Sequence, residues 1–148
     1  MDKIDNSLKN QRDPRHRARE YTLQFLYQCE MERIFYFSES HFHSFVEHHQ
    51  IESDLRIKIK TLAEFVLNDI AEIDQMLSEH VQHWSLERIA TIERSILRLS
   101  AAELKNATAP IKVVINEAVE LAKKFGTAES HKIINGILNR LAQETSSR

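Results

Sequence analysis

The sequence predicts an all-α protein, a compact bundle of about six or seven helices joined by short connections. Three observations indicate this. Glycine and proline occur only twice each in 148 residues, whereas β-rich folds and long loops need many of both. Apolar residues recur every three or four positions along most of the chain, which is the period of an amphipathic helix. No segment alternates apolar and polar residues as a half-buried strand does.

The first helix is predicted to begin at Asp13 and Pro14, because aspartate is a good N-cap and proline is favoured at the first helical position. Its second half is apolar on nearly all sides, so we expect it to run through the middle of the fold. Its main apolar face consists of Ala18, Thr22, Phe25, Leu26 and Cys29. Residues 1–12 are polar and lack a cap, so we expect them to form a mobile N-terminal arm.

The middle of the chain predicts two further helices. One covers Ser38–His49, with Phe42, Phe45 and Val46 at helical spacing. The other follows Ser53 as its cap, and its apolar residues recur from Leu55 to Trp84. This long stripe predicts one long helix, either straight or kinked.

The last third of the chain predicts three more helices. Ser85 can cap the first of them, and a turn at Asn106–Pro110 separates it from the second. Gly126 should stop the second helix, and Thr127 can cap the third. Asn116, Glu117 and Asn135 stand beside apolar residues, which predicts interhelical hydrogen bonds, with Gly136 allowing close approach. We expect a single helical domain over residues 13–144 and a frayed tail over residues 145–148.

Composition and charge limit the possible classes of function. The net charge is −2 with histidine neutral, so nucleic-acid binding would require a local basic patch. The single cysteine, Cys29, excludes an internal disulfide and fits a reducing compartment. The N-terminus lacks the apolar stretch of a signal peptide, and no run approaches the ~18 apolar residues that a membrane helix needs. We therefore expect a cytoplasmic protein with no membrane partner.

The strongest candidate site is an arginine cluster at the start of the first helix. Four arginines lie between residues 12 and 19, with one histidine and a single acid: Arg12, Asp13, Arg15, His16, Arg17 and Arg19. Guanidinium groups bind phosphate bidentately and stack on bases, so an exposed cluster of this kind suits RNA. Arginines near a helix N-terminus also oppose the helix dipole, which favours a negatively charged partner. The alternative interpretation is an ordinary solvated helix start.

Positive charge near the C-terminus is less informative, because cations also suit helix ends. It comes from Lys123, Lys124, His131, Lys132 and Arg140.

No motif indicates catalysis. The chain has no glycine-rich phosphate loop and no GxSxG sequence, and Cys29 lies on an apolar face, where a small core thiol is expected. The histidines lack the spacing of a zinc site, and no cysteine cluster could complete one. We therefore expect no catalytic residue, no metal, no cofactor and no small-molecule substrate.

Two segments of the chain resemble the NusB family of bacterial transcription antitermination factors. Residues 15–30, RHRAREYTLQFLYQCE, are similar to the family's arginine-rich opening helix. Residues 92–104, IERSILRLSAAEL, and residues 110–141, PIKVVINEAVELAKKFGTAESHKIINGILNRL, resemble its most recognisable region. Residues 34–53 are not specific to the family.

This resemblance implies a non-enzymatic protein of two packed helical subdomains. Family members bind the boxA element of ribosomal RNA leader transcripts jointly with a small-subunit ribosomal protein, which is called NusE in this role. The complex then modifies elongating RNA polymerase to suppress termination. By position, the resemblance implies RNA contacts at Arg15, His16, Arg17, Arg19, Glu87, Arg98, Glu129 and Ile133. It implies NusE contacts at Tyr27 and Glu93, whereas the residue pattern alone puts Tyr27 in the core and Glu93 in solvent.

Three residues depart from the family's pattern. His16 stands where another arginine is common, so part of the charge would depend on pH near the ordinary histidine pKa of ~6.5. Ile133 stands where an aromatic residue is typical, and an aliphatic side chain packs on a base but lacks a π-face. Ala102 replaces a frequent aromatic residue, which we expect to affect only packing.

Two other functions are compatible with this fold. A protein-only interaction module would not need Arg15, Arg17 and Arg19. RNA cytosine methyltransferases carry a NusB-like domain before their catalytic domain, but this sequence shows no cofactor-binding segment.

Overall fold

The computed structural model describes residues 13–81 and 86–146, without the side chains of residues 87, 145 and 146. The described part contains seven α-helices, a short 3₁₀ turn at Leu86–Arg88 and no strand, which confirms the all-α prediction. The helices are α1 (Pro14–Met31), α2 (Glu39–His48), α3 (Ser53–Leu67), α4 (Ile70–Ser78), α5 (Thr91–Asn106), α6 (Ile111–Phe125) and α7 (Ser130–Ser146). None of the helices in these ranges is both long and apolar enough to cross a membrane.

The helix in the middle of the fold is α5, and not α1 as the sequence suggested. All of residues 95–104 are buried, and α5 packs against α1, α3, α4, α6 and α7. Small side chains at Ser95, Ser100, Ala101 and Ala102 let neighbouring helices approach α5 on several sides. Since α1 packs on α3 and α6 packs on α7, α5 joins two groups of helices.

An aromatic cluster attaches α2 to α1. The ring of Phe25 in α1 lies 5.5 Å from the ring of Phe42 and 5.1 Å from that of Phe45. Phe25, Phe42 and Phe45 are all buried. Because α2 has few backbone neighbours of its own, these rings provide its contact with the core.

The long helix predicted from Leu55 to Trp84 is two helices. The chain breaks at Asn68 and Asp69, because short polar side chains of this kind favour helix ends over helix interiors. Lys105 of α5 lies 3.3 Å from the Asp69 carboxylate, which ties the break to the central helix. The apolar stripe continues across the break, since both helices face α5. Residues 82–85, which include Trp84 and the predicted cap Ser85, lie outside the described residues.

The predicted N-cap Asp13 is confirmed, the predicted N-cap Ser53 is wrong, and Ser38 is a further cap that the sequence did not predict. The Asp13 carboxylate accepts a hydrogen bond from the backbone N–H of His16 at 3.1 Å, with Pro14 first in the helix. Ser38 caps α2 by accepting from the N–H of His41 at 3.3 Å. Ser53, in contrast, is the first helical residue of α3 and not its cap.

Gly126 ends α6 as expected, but for a different reason. Its φ of −95° is not left-handed. A Cβ atom at Gly126 would instead lie 2.6 Å from Ser130 Oγ and 2.8 Å from the Ala122 carbonyl. A Cβ at Gly136 would meet only Arg140 Nη1, at 3.5 Å, so Gly126 is the glycine that close packing requires.

The predicted interhelical amide pair is absent from the described residues. Asn116 and Asn135 are exposed, and Asn135 bonds only to Asn139 of its own helix. Glu117 does make an interhelical contact, but its partner is His16 of α1.

Candidate nucleic-acid interface

Arg15 is the exposed member of the arginine cluster. Its side chain is exposed on the first turn of α1 and makes no hydrogen bond or ion pair with the residues that the structure describes. It borders a groove between α1 and α3. Arg12 lies outside the described residues. Among the described residues, nothing neutralises the Arg15 guanidinium, so it can meet an anionic partner.

His16 lies between two carboxylates. Its Nδ1 is 2.7 Å from Glu117 Oε2 of α6, and its Nε2 is 3.0 Å from Glu20 Oε1 one turn along α1. Burial lowers the pKa of His16, but hydrogen bonds and charge from Glu117 and Glu20 outweigh burial and raise it above 6.5. The histidine thus connects α1 to α6, and its positive charge persists to higher pH than expected from the sequence.

Arg17 and Arg19 are paired with acids, so the expectation that the whole cluster is exposed is wrong. Arg17 Nη2 lies 3.1 Å from Glu52 Oε1 at the edge of α3. Arg19 is only 5% exposed, and its Nε and Nη2 donate to the two Glu103 oxygens of α5 at 2.9 Å each. Thr108 also donates to Glu103, at 2.8 Å. Arg19 is therefore part of the core packing and does not offer its charge to a surface ligand.

Arg98 is likewise held inside the protein, so its guanidinium is not part of the surface. It is 9% exposed, and its Nε and Nη2 donate to the two Asp74 oxygens of α4 at 2.8 and 2.9 Å. Its Nη1 lies 3.4 Å from Glu30 of α1. The guanidinium links α1, α4 and α5. The side chain of Glu87 lies outside the described part of the chain.

Basic side chains surround Ile133 on the outer face of α7. Ile133 is 38% exposed and borders a cavity of about 270 Å³ whose lining includes Arg88, Lys132 and Arg140. Arg88 is exposed and has no ion pair among the described residues. Lys132 lies 3.6 Å from the exposed Glu129. Three cations, against the single carboxylate of Glu93, line this cavity beside an exposed apolar side chain and suit a ligand with both phosphate and base surfaces.

The chain between α4 and α5 is positioned by Arg94. Its Nη1 donates to the carbonyls of Leu86 and Ile89 at 3.1 and 2.8 Å, and its Nε donates to Glu30 at 2.6 Å. These bonds fix the 3₁₀ turn that carries Arg88. Arg88 was not among the residues predicted from the sequence, where its only signal is its position next to Glu87.

Glu93 is buried and Tyr27 is exposed, the opposite of what the residue pattern suggested. Glu93 is 8% exposed, and its Oε1 accepts a hydrogen bond of 2.5 Å from Ser130 Oγ at the start of α7. Ser130 Oγ in turn accepts from the N–H of Thr127 at 2.8 Å. Tyr27 is 39% exposed and borders a second cavity, of about 500 Å³, whose mainly apolar lining includes Phe125.

The two cavities meet at one residue. Glu93 lies in the lining of the Ile133 cavity, Tyr27 in that of the larger one, and Ala90 belongs to both linings. A molecule in either cavity would therefore contact the start of α5.

The remaining candidates for chemistry have simple explanations. Burial raises the pKa of the Cys29 thiol to about 12, so the thiol stays protonated and is a poor nucleophile. Within the described ranges, Glu79, His80 and Glu144 form the one group that could hold a metal ion. His80 Nε2 contacts the Glu144 carboxylate directly, as in an ordinary ion pair.

Comparisons with known proteins agree with the sequence resemblance. The model of the NusB family matches residues 16–143. A transcription antitermination protein NusB from Thermodesulfovibrio yellowstonii is 42% identical over 139 residues, which cover 88% of this chain and 92% of the relative. One from Bacillus subtilis is 36% identical, covering 88% and 95%.

Solved structures show the same fold. The structure of T. maritima NusB matches with a TM-score of 0.77 and 30% identity, covering 92% of this chain and 99% of that one. A crystal structure of the antitermination factors NusB and NusE in complex with dsRNA matches with a TM-score of 0.78 and 27% identity, covering 88% and 97%.

Proposed function

Because the chain belongs to the NusB family of transcription antitermination proteins, which are not enzymes, we propose that it binds boxA-containing RNA jointly with NusE. It would do so in the cytoplasm, as part of an antitermination complex on RNA polymerase. A similar structure that holds NusB with NusE and dsRNA supports this assignment.

The observation that carries the RNA assignment is the set of cations around Ile133. Arg88, Lys132 and Arg140 line one cavity with an exposed isoleucine. Phosphates would meet the cations, and a base would pack on the aliphatic side chain without aromatic stacking. Arg15 would supply a further phosphate contact from α1, and His16 would add charge when protonated. Arg19 and Arg98 are left out of the RNA surface because their guanidinium groups are buried in ion pairs.

The cavity beside Tyr27 suits a protein partner better than RNA. Its lining is mainly apolar, with Leu23, Ile92 and Phe125 beside the half-exposed tyrosine. Tyrosine beside an open apolar cavity is typical of the residues that anchor protein interfaces. We assign this surface to NusE. Glu93, with its carboxylate turned to Ser130, would act on the partner only through the position of α7.

The test is RNA binding at two salt concentrations, with and without NusE. We expect boxA RNA to bind, and NusE to strengthen that binding. Arg88→Ala should weaken RNA binding and flatten its salt dependence by about 0.7, the slope per phosphate contact for single strands. Lys60→Ala is the control, because Lys60 is a cation on α3 that pairs with Glu39 at 2.7 Å.

Two results would contradict the proposal. Normal NusE binding without measurable RNA affinity would favour the protein-only module. An Arg88→Ala variant with unchanged affinity and salt slope would remove the Ile133 cavity from the RNA surface.

A further inference from the structure

A groove of about 240 Å³ runs between α1 and α3, away from the cations around Ile133. Its lining combines apolar side chains, Ala18, Leu62 and Phe65, with Arg15 and Lys58. Ile57 also lines it and is 72% exposed, which is unusual for so large an apolar side chain. No residue of α3 belongs to the contacts that the family resemblance implies.

The groove has an excess of positive charge. Its charged lining residues are Arg15, Arg19, Lys58 and Glu103, three cations against one carboxylate. Arg19 and Glu103 neutralise each other in their buried ion pair. Arg15 and Lys58 are both exposed, and neither has an ion pair within the described ranges. Two cations without an ion pair in the described part of the chain therefore border an apolar surface.

We propose that this groove is an additional RNA-binding site, which takes a nucleotide flanking the boxA element. The proposal rests on the RNA-binding function proposed above. Arg15 and Lys58 would hold phosphate, and the base would lie against Ile57.

Size and charge both favour a nucleotide within a strand over a free small molecule or a protein segment. The volume of about 240 Å³ lies below the ~300–1,000 Å³ typical of pockets that bury a small ligand, so the groove would hold only part of a larger molecule. Unpaired cations next to apolar side chains match the alternation of phosphate and base along single-stranded RNA. Because Arg15 is also the phosphate contact proposed on α1, the strand would continue past Arg15 onto α3.

Two neighbouring lysines on α3 provide a matched test. Lys58 lies in the groove without an ion pair among the described residues, whereas Lys60 pairs with Glu39 and is absent from the groove lining. Binding is measured for wild type, Lys58→Ala and Lys60→Ala at two salt concentrations. Two RNAs are compared: boxA alone, and boxA extended by several nucleotides on both sides.

The extended RNA should bind wild type more tightly than boxA alone. Lys58→Ala should weaken binding of the extended RNA about three- to tenfold and lower the slope of its salt dependence by about 0.7. Binding of boxA alone should change little. Lys60→Ala should match wild type. Ile57→Ser should weaken the extended RNA at both salt concentrations without changing the slope, because it removes an apolar contact and not a charge.

Three outcomes would overturn the assignment. The first is Lys58→Ala binding the extended RNA as wild type does, and the second is no gain of wild-type affinity from the flanks. The third is a Lys58→Ala variant that loses NusE and keeps RNA, since the groove would then take the protein partner. If wild type binds neither RNA, the proposed function itself fails, a result distinct from all three. Because Lys58 and Ile57 are exposed, helix content should be the same in every variant.

Discussion

At the scale of single residues, the arginines of α1 differ in what they contact. Arg19→Ala would leave Glu103 as an unpaired carboxylate in the core, which costs about 3–5 kcal/mol of unfolding free energy. Arg15→Ala removes only an exposed charge, and its effect should stay within about 0.5 kcal/mol. Urea denaturation of both variants measures the difference. Similar losses for the two would show that Arg19 is not a core residue.

His16 should make stability depend on pH. Its pKa in the folded protein is raised above the ordinary value of 6.5 by Glu117 and Glu20, which outweigh burial. A raised folded pKa contributes stability that is fully present below the unfolded value and is lost as pH rises through the folded value. We expect His16→Gln to lose more stability relative to wild type at about pH 5.5 than at about pH 8.5. A constant difference across that range would exclude the ion pairs with Glu117 and Glu20.

The sequence and its family resemblance predict Arg15 and Ile133 as contacts, but they do not separate these residues from the buried Arg19 and Arg98. The acid that neutralises Arg19 is 84 positions away, and the one that neutralises Arg98 is 24 positions away. Helical periodicity reports which face a residue occupies, but not which residue of another helix lies opposite. Glu93 was misassigned for the same reason, because its partner Ser130 is 37 positions along the chain.

At the scale of elements, the two glycines of the last helices should respond oppositely to alanine. Gly126→Ala would place a Cβ 2.6 Å from Ser130 Oγ and 2.8 Å from a backbone carbonyl, so it should destabilise the α6–α7 corner. Gly136→Ala meets only the end of the Arg140 side chain and lies inside a helix, where alanine is favoured by about 0.5–1 kcal/mol. In thermal unfolding, the melting temperature should be highest for Gly136→Ala, intermediate for wild type and lowest for Gly126→Ala. The reverse ranking would mean that the corner is not tightly packed.

The apolar stripe of α3 and α4 supports a second comparison. Leu77 has no exposed surface, and Leu77→Ala should cost about 2–5 kcal/mol. The Glu72 side chain is 60% exposed and pairs with Lys105, so Glu72→Ala should cost little. Equal, small losses in denaturant unfolding would show that the faces of these helices are wrongly assigned.

The apolar stripe also shows which features of a helix can be predicted from sequence periodicity and which cannot. Periodicity gave the inward face of α3 and α4 correctly, because burial of that face does not depend on where a helix stops. The break at Asn68 and Asp69 was missed, since such residues also occur within helices and the tie to Lys105 comes from a distant element.

At the scale of the whole molecule, the central position of α5 was the feature that sequence concealed. Arg98 and Glu103 gave α5 a mixed pattern, although both are buried in ion pairs with other helices. The apolar second half of α1 looked more central, yet Tyr27 and Met31 on that half are exposed. Charged residues are expected outside, and only the assembled fold shows which of them are paired inside.

Ala90 lines both the Ile133 cavity and the Tyr27 cavity, so the two proposed ligands would meet at the start of α5, and we expect contact between them there to favour joint binding. Thermodynamic reciprocity requires NusE to tighten RNA binding by the same factor by which RNA tightens NusE binding. Titrating each ligand in the presence and absence of the other measures both factors. A substitution at Ala90 that changes this shared factor, while leaving the individual affinities almost unaltered, would identify the start of α5 as the element that couples them. The protein would then bind each ligand tightly only when the other is also present, and the start of α5 would be the part of the fold that makes this so.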